Sequence, residues 1–282
     1  MKRSGSALKA RLDELHDRYR SEAALALDPI VVPLAFADPR DRELAAFVAA
    51  HLAYGRVAPM LQAIRGALAP LGARPAQALR ALGAEAAPVL ARDLGAWVWR
   101  FHTAEDMAHW MAAWADLDRE TGGRGLEPLL VPEGDQDADA RLSALVRRLR
   151  RELPDTPGLR FNLPDPREGA ACKRWRMFLR WMVRDGWPDL GLWRNYPPAS
   201  LVIPLDTHVA RISRFIGLAR RRTPDGRLAQ EITQALRALD PGDPLRYDFA
   251  LAHLGILGDC PGVRTLPACR KCPLVNLCRA GL

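Results

Sequence analysis

Apolar residues recur at three- and four-residue intervals along almost the whole chain, while strand-like alternation is nearly absent. That period puts one apolar stripe on each helix and requires the stripes to be buried against one another. The chain is therefore read as all-α. Residues 5–27 are expected to form one helix. A second is expected in "DPRDRELAAFVAAHLAYG" (38–55), with Asp38 as cap, Pro39 in the first turn and Gly55 as stop. Shorter helices follow in "VAPMLQAIRGALAPLG" and "RPAQALRALG". Thr103 and Asp106 have the spacing of a capping box ahead of a helix over 103–123, and a basic helix is expected over 138–153. "SLVIPL" is the one strand-like run, and Pro204 interrupts it. "LLVPEGDQDAD" and "PDTPGLRFNLPDPREG" read as loops, as does 184–200, which carries Trp187, Trp193 and Tyr196.

With 282 residues the chain can bury one large core or two modest ones. No run approaches the roughly 18–20 apolar residues of a membrane span. The N-terminal "MKRSGSALKARLDELHDRYR" is charged throughout and lacks the apolar stretch of a signal peptide. A cytoplasmic monomer with no membrane partner is expected. The formal charge is +8 and comes almost wholly from arginine, a balance that suits a polyanion such as nucleic acid. Lysine occurs only at positions 2, 9, 173 and 271, so an interior lysine asks why arginine would not serve there.

Four of the five cysteines fall in the last 23 residues, spaced C-x8-C-x2-C-x5-C from Cys260 to Cys278. A secreted disulfide framework spreads its cysteines more evenly, so the cluster points to a metal centre in a reducing compartment. Structural zinc sites usually pair two short knuckles, whereas here one knuckle is flanked by two single cysteines. Cys260, Cys269, Cys272 and Cys278 are thus candidate ligands of a [4Fe–4S] cluster with a structural role, zinc being the alternative. Arg264, Arg270, Lys271 and Arg279 would give that loop a cationic face. Cys172 lies among apolar residues and is read as packed.

"EGAACKRWRMFLRWMVR" (168–184) is expected to be helical from Ala170, with Lys173 in its first turns. At a helix N-terminus the dipole disfavours an ammonium, and partial burial acts in the same sense. Both effects favour a free amine, which arginine cannot provide, so Lys173 is either a nucleophile or a surface lysine. Further on, "PLDTHVARI" (204–212) opens a helix at which Asp206 is either an N-cap or a working carboxylate.

Together these motifs resemble the helix-hairpin-helix DNA glycosylases, in particular the iron–sulfur branch that includes endonuclease III and the adenine glycosylases. There a hairpin L-P-G-V-G-R-K precedes V-D-T-H-V-x-R and a C-x6-C-x2-C-x5-C loop. "GAACK" (169–173) falls on the hairpin, "LDTHVAR" (205–211) on the aspartate motif, and the cysteine loop differs only in its first spacing. The chain looks like an uncharacterised bacterial branch carrying "ACKR…FLRWMVR…PLDTHV", and the resemblance covers residues 40–282. It implies a base-excision glycosylase, with AP-lyase activity, on double-stranded DNA with a flipped nucleotide. Lys173 would be the nucleophile and Asp206 its partner. Gly169, Ala171, Arg174, His208 and Arg211 would contact DNA, with Tyr54 and Arg56 as wedge candidates.

Two departures bear on this. The hairpin's second glycine is Ala171, so only Gly169 is expected to take positive φ. Lys173 and Asp206 also stand 33 positions apart, about twice the usual gap. The expected division is a helical domain over 28–200 carrying the hairpin, and a cluster domain built from 1–27 and 201–282. The two reactive groups would then meet across a cleft. The competing reading is a non-catalytic DNA- or RNA-binding protein on the same scaffold, and a weaker one is a zinc-dependent adaptor.

Overall fold

A computed structural model of the chain describes residues 2–132, 137–263 and 266–280. It is predominantly helical, as the periodicity requires, and the described residues hold one two-stranded sheet. The backbone divides into two compact units. One comprises Met1–Leu25, Gly169–Arg180 and Pro198–Leu282; the other comprises Ala26–Glu168 and Trp181–Pro197. We refer to them as the cysteine unit and the helical unit. Residues 169–180 thus group with the cysteine loop, where the sequence reading had placed them with 28–200.

The helical unit is organised around the helix Pro39–Leu52, capped by Asp38 through its bond from the Arg40 amide at 2.8 Å. Most of its side chains are buried, because helices Val31–Leu34, Val57–Leu68, Pro75–Leu82 and Ala104–Glu120 all pack on it. Phe47 stacks on Trp110 with ring centroids 4.6 Å apart, both fully buried. Three buried acids tie neighbouring segments to this core. Asp41 accepts the Ala76 amide at 2.8 Å, Asp118 the Gly125 amide at 2.9 Å, and Glu43 the Leu126 amide at 2.6 Å. Burial pushes the Glu43 carboxyl up to about 7, against the opposing pull of Arg40 at 2.7 Å. Trp193 donates its indole N–H to Glu43 at 3.3 Å and, like Tyr196, is buried; both brace the unit.

Several local expectations change. The first helix ends at Tyr19. The stretch 154–169 contains the helix Pro157–Asn162, started by Thr156 accepting the Leu159 amide at 3.2 Å, and a 3₁₀ turn at Pro166–Glu168. "SLVIPL" forms no strand. Instead Val98–Trp99 pairs antiparallel with His102–Thr103, strands too short to show any alternation. The capping box at Thr103 and Asp106 forms as its spacing requires.

In the cysteine unit the helix Asp248–Ile256 is packed by both the N-terminal helix Lys2–Tyr19 and the aspartate helix Thr207–Phe215. Leu12, Leu15, Val209, Ile212, Leu251 and Leu254 supply the buried apolar surface. Arg180 and Asp248 form a buried ion pair there. Among the described residues no helix is long and apolar enough to cross a membrane.

Candidate functional site

The lysine helix begins at Lys173, three residues later than expected, and runs to Val183. What precedes it is a tight turn. Gly169 has φ 86, and the second left-handed residue is Cys172 at φ 51, so Ala171 does not take the place of the missing glycine. A buried cysteine in that conformation carries backbone strain. Its carbonyl accepts the Arg176 amide at 3.0 Å and so opens the helix. Lys173 therefore occupies the first helical position, half-buried, and makes no ion pair among the described residues. Lys9, by contrast, is bound to Asp13 at 3.1 Å. Arg174 follows it and is also half-buried.

The turn is held from outside its own sequence. The Gly226 amide donates to the Gly169 carbonyl at 2.9 Å, and a Cβ on Gly226 would stand 2.9 Å from the Ala170 carbonyl oxygen. Gly226 is the first residue of the helix Gly226–Arg237, whose cap is Asp225. Arg221 grips Asp225 through its guanidinium and holds the Asp225 carboxyl down to about 2. Sequence reading missed Gly226, although "PDG" before an apolar stripe marks a helix start.

Asp206 caps the aspartate helix, accepting the Val209 amide at 2.7 Å. Its other carboxylate oxygen has no partner among the described residues. Lys173 and Asp206 belong to the same unit, so the expected arrangement of one reactive group per domain does not hold. His208 packs against Gly255, where a Cβ would come within 2.3 Å of its Nδ1. That nitrogen is buried with no hydrogen-bond partner among the described residues. Arg211 donates to the Cys260 carbonyl at 3.0 Å and lies over Gly262, whose Cβ would approach its guanidinium to 2.7 Å. Both residues thus make contacts within the unit. Tyr54 and Arg56 belong to the helical unit. Tyr54 is half-buried, stacks on Phe101 at 5.4 Å and bonds His102 at 2.5 Å, whereas Arg56 is exposed.

The four terminal cysteines line one cavity together with Asp259, Pro261, Val263, Val275 and Ala280. None of the four is in a disulfide, and no three His, Cys, Asp or Glu side chains among the described residues are grouped as ligands of a single ion. Burial pushes the Cys272 thiol up, and Cys260 and Cys278 add to the rise. Residues far away in sequence fix this loop. Tyr19 donates to Asp259 at 2.5 Å, Arg18 to the Lys271 carbonyl at 2.6 Å, and the Arg279 amide to the Phe215 carbonyl at 2.7 Å. Burial and the Asp259 carboxylate both push the Tyr19 phenol up, so it stays a donor. Arg270, Lys271 and Arg279 are exposed, giving the loop a cationic rim; Arg264 lies outside the described residues.

Residues 28–257 match the family described as Protein of unknown function (DUF2400). The chain belongs to this family. No curated protein and no solved structure matches it. The match takes in Lys173, Asp206 and the turn between Gly169 and Gly226, while the cysteine loop lies beyond its end.

Proposed function

We propose that this chain is a DNA glycosylase with AP-lyase activity that removes a damaged or modified base in base excision repair. The observation that carries the reading is Lys173: a lone lysine at the first position of a helix, after a strained turn, in the unit that also holds Asp206. Its Nζ would attack C1′ of an extruded nucleotide. The C1′–N bond breaks and the base leaves with its electron pair and a proton. The ring then opens at the C1′–O4′ bond, O4′ leaving as a hydroxyl, and a protonated imine joins lysine to sugar. Loss of the C2′ proton then expels the 3′ phosphate, and water releases the lysine. The Asp206 oxygen not used in capping is the group to steady positive charge on the sugar and to take the amine proton. DNA is the partner in this reading, and a cytoplasmic, nucleoid-associated monomer is its setting.

Cys260, Cys269, Cys272 and Cys278 are proposed to hold a [4Fe–4S] cluster, with zinc as the alternative. The donor set fits, since four thiols reach one cavity with otherwise largely apolar walls. Zinc needs its thiolates roughly 4 Å from one another around one ion, given Zn–S distances of about 2.3 Å. The cysteine spacing, one Cys-x2-Cys knuckle flanked by two single cysteines, better suits the corners of a cluster. The group would cross-link the loop and take no part in the bond changes.

Borohydride trapping on a duplex with an abasic site tests the chemistry. Wild type should form a covalent adduct and Lys173→Ala should not. Equal trapping by both proteins, or none by wild type, refutes the assignment. A second reading, a non-catalytic nucleic-acid-binding protein, is favoured by one observation: Asp206 already has a capping role. DNA binding without any adduct would decide for it.

A further inference from the structure

In the helical unit, the two-residue tip of the hairpin breaks the chemistry expected of such turns. Trp99 pairs with His102, leaving Arg100 and Phe101 as the loop. Only the first of these has positive φ, 55, and that position ordinarily takes glycine. An arginine there holds its backbone in a costly region, and strain of this kind is kept where the side chain does something. Phe101 is 42% exposed and Val98 62% exposed, among the few large apolar residues left at the surface. The Phe101 ring is not loose. Tyr54 stacks against it with planes 6° apart, and Phe161 meets it edge-on at 4.4 Å. Arg56 lies on the adjoining turn, where Gly55 at φ 92 lets that turn close on Trp99 and Arg100. Neither Arg56 nor Arg100 has a carboxylate partner among the described residues.

A rigidly backed aromatic ring beside two guanidiniums without acidic partners is complementary to an unpaired base and its phosphates. We infer that the hairpin tip is a binding site for single-stranded nucleic acid, with a base stacked on Phe101 and phosphates on Arg100 and Arg56. None of these residues belongs to the cysteine unit, and the inference does not rest on glycosylase chemistry. The Arg100 guanidinium lies over the Trp99 ring, 5.8 Å from its centroid, which holds the cation at the tip.

The test compares the full chain's affinity for a short oligothymidylate and for an oligomer of equal length built from a reduced abasic analogue. Wild type should prefer the base-bearing probe. Phe101→Leu keeps apolar bulk against Tyr54 and Phe161 but removes the ring, and should lower the preference by roughly 5- to 100-fold. Arg100→Gly relieves the strained φ, so it should raise the melting temperature or leave it unchanged while weakening both probes and flattening the salt dependence. Equal wild-type affinity for the two probes overturns the inference, as does a preference that survives Phe101→Leu. Arg100→Gly binding as wild type removes the arginine from it. Trapping on abasic duplex is read separately, so loss of catalysis and loss of stacking are told apart.

Discussion

Gly226 donates its amide to the Gly169 carbonyl at 2.9 Å, and the space where a Cβ would sit on Gly226 is closed by the Ala170 carbonyl. The turn before Lys173 is therefore shaped by a residue more than fifty positions away in sequence. Gly226→Ala should push backbone against backbone and destabilise the fold by about 1–3 kcal/mol. It should also lower trapping at Lys173 more than it lowers DNA binding. Denaturant unfolding together with borohydride trapping checks both; wild-type values in each would show that the turn tolerates the change.

Asp206 has a structural role and a proposed chemical one, and two substitutions separate them. Asparagine still caps, so Asp206→Asn should keep stability within a few tenths of a kcal/mol while abolishing turnover. Asp206→Ala should lose turnover and about 1 kcal/mol of stability. Equal stability and equal activity for both variants would leave Asp206 with neither role.

Glu43 should make the helical unit's stability fall as pH rises. Its folded carboxyl is held up at about 7 by burial, above an unfolded value near 4.5. Between these values the folded state binds more protons than the unfolded one, so unfolding free energy decreases with pH, by on the order of 3 kcal/mol in total. Glu43→Gln should flatten that slope. Chemical denaturation at intervals from pH 5 to 8, wild type against variant, measures it.

Tyr19 and Arg18 fasten the cysteine loop without supplying a thiol. Tyr19→Phe removes the bond to Asp259 and should cost about 0.5–1.5 kcal/mol. Hydrogen exchange should speed up at residues 259–263 before it does in the Asp248–Ile256 helix. Iron and acid-labile sulfide in the purified protein should be retained by Tyr19→Phe and lost by Cys272→Ala. A colourless, zinc-loaded wild type would end the cluster assignment.

What could be read in the sequence was local. Caps at Asp38, Thr103 and Asp206 are visible because a capping side chain binds an amide two or three residues on. The all-α class follows from a period that one helix face imposes on its own residues. The cysteine spacing lies within 19 residues, so its chemistry could be proposed before any fold was known. "LDTHVAR" and "ACK" could be picked out for the same reason, but not the elements that hold them.

Tertiary structure decided the rest. It gave Arg211 to the Cys260 carbonyl, Gly255 to the His208 ring, and Tyr54 to a stack on Phe101. It also placed the lysine turn in the same unit as the aspartate. Each of these is a close approach between residues distant in sequence. Such an approach is set by which apolar faces find one another, and sequence spacing carries no record of it. A glycine such as Gly226 shows its role only when the carbonyl it accommodates is in place.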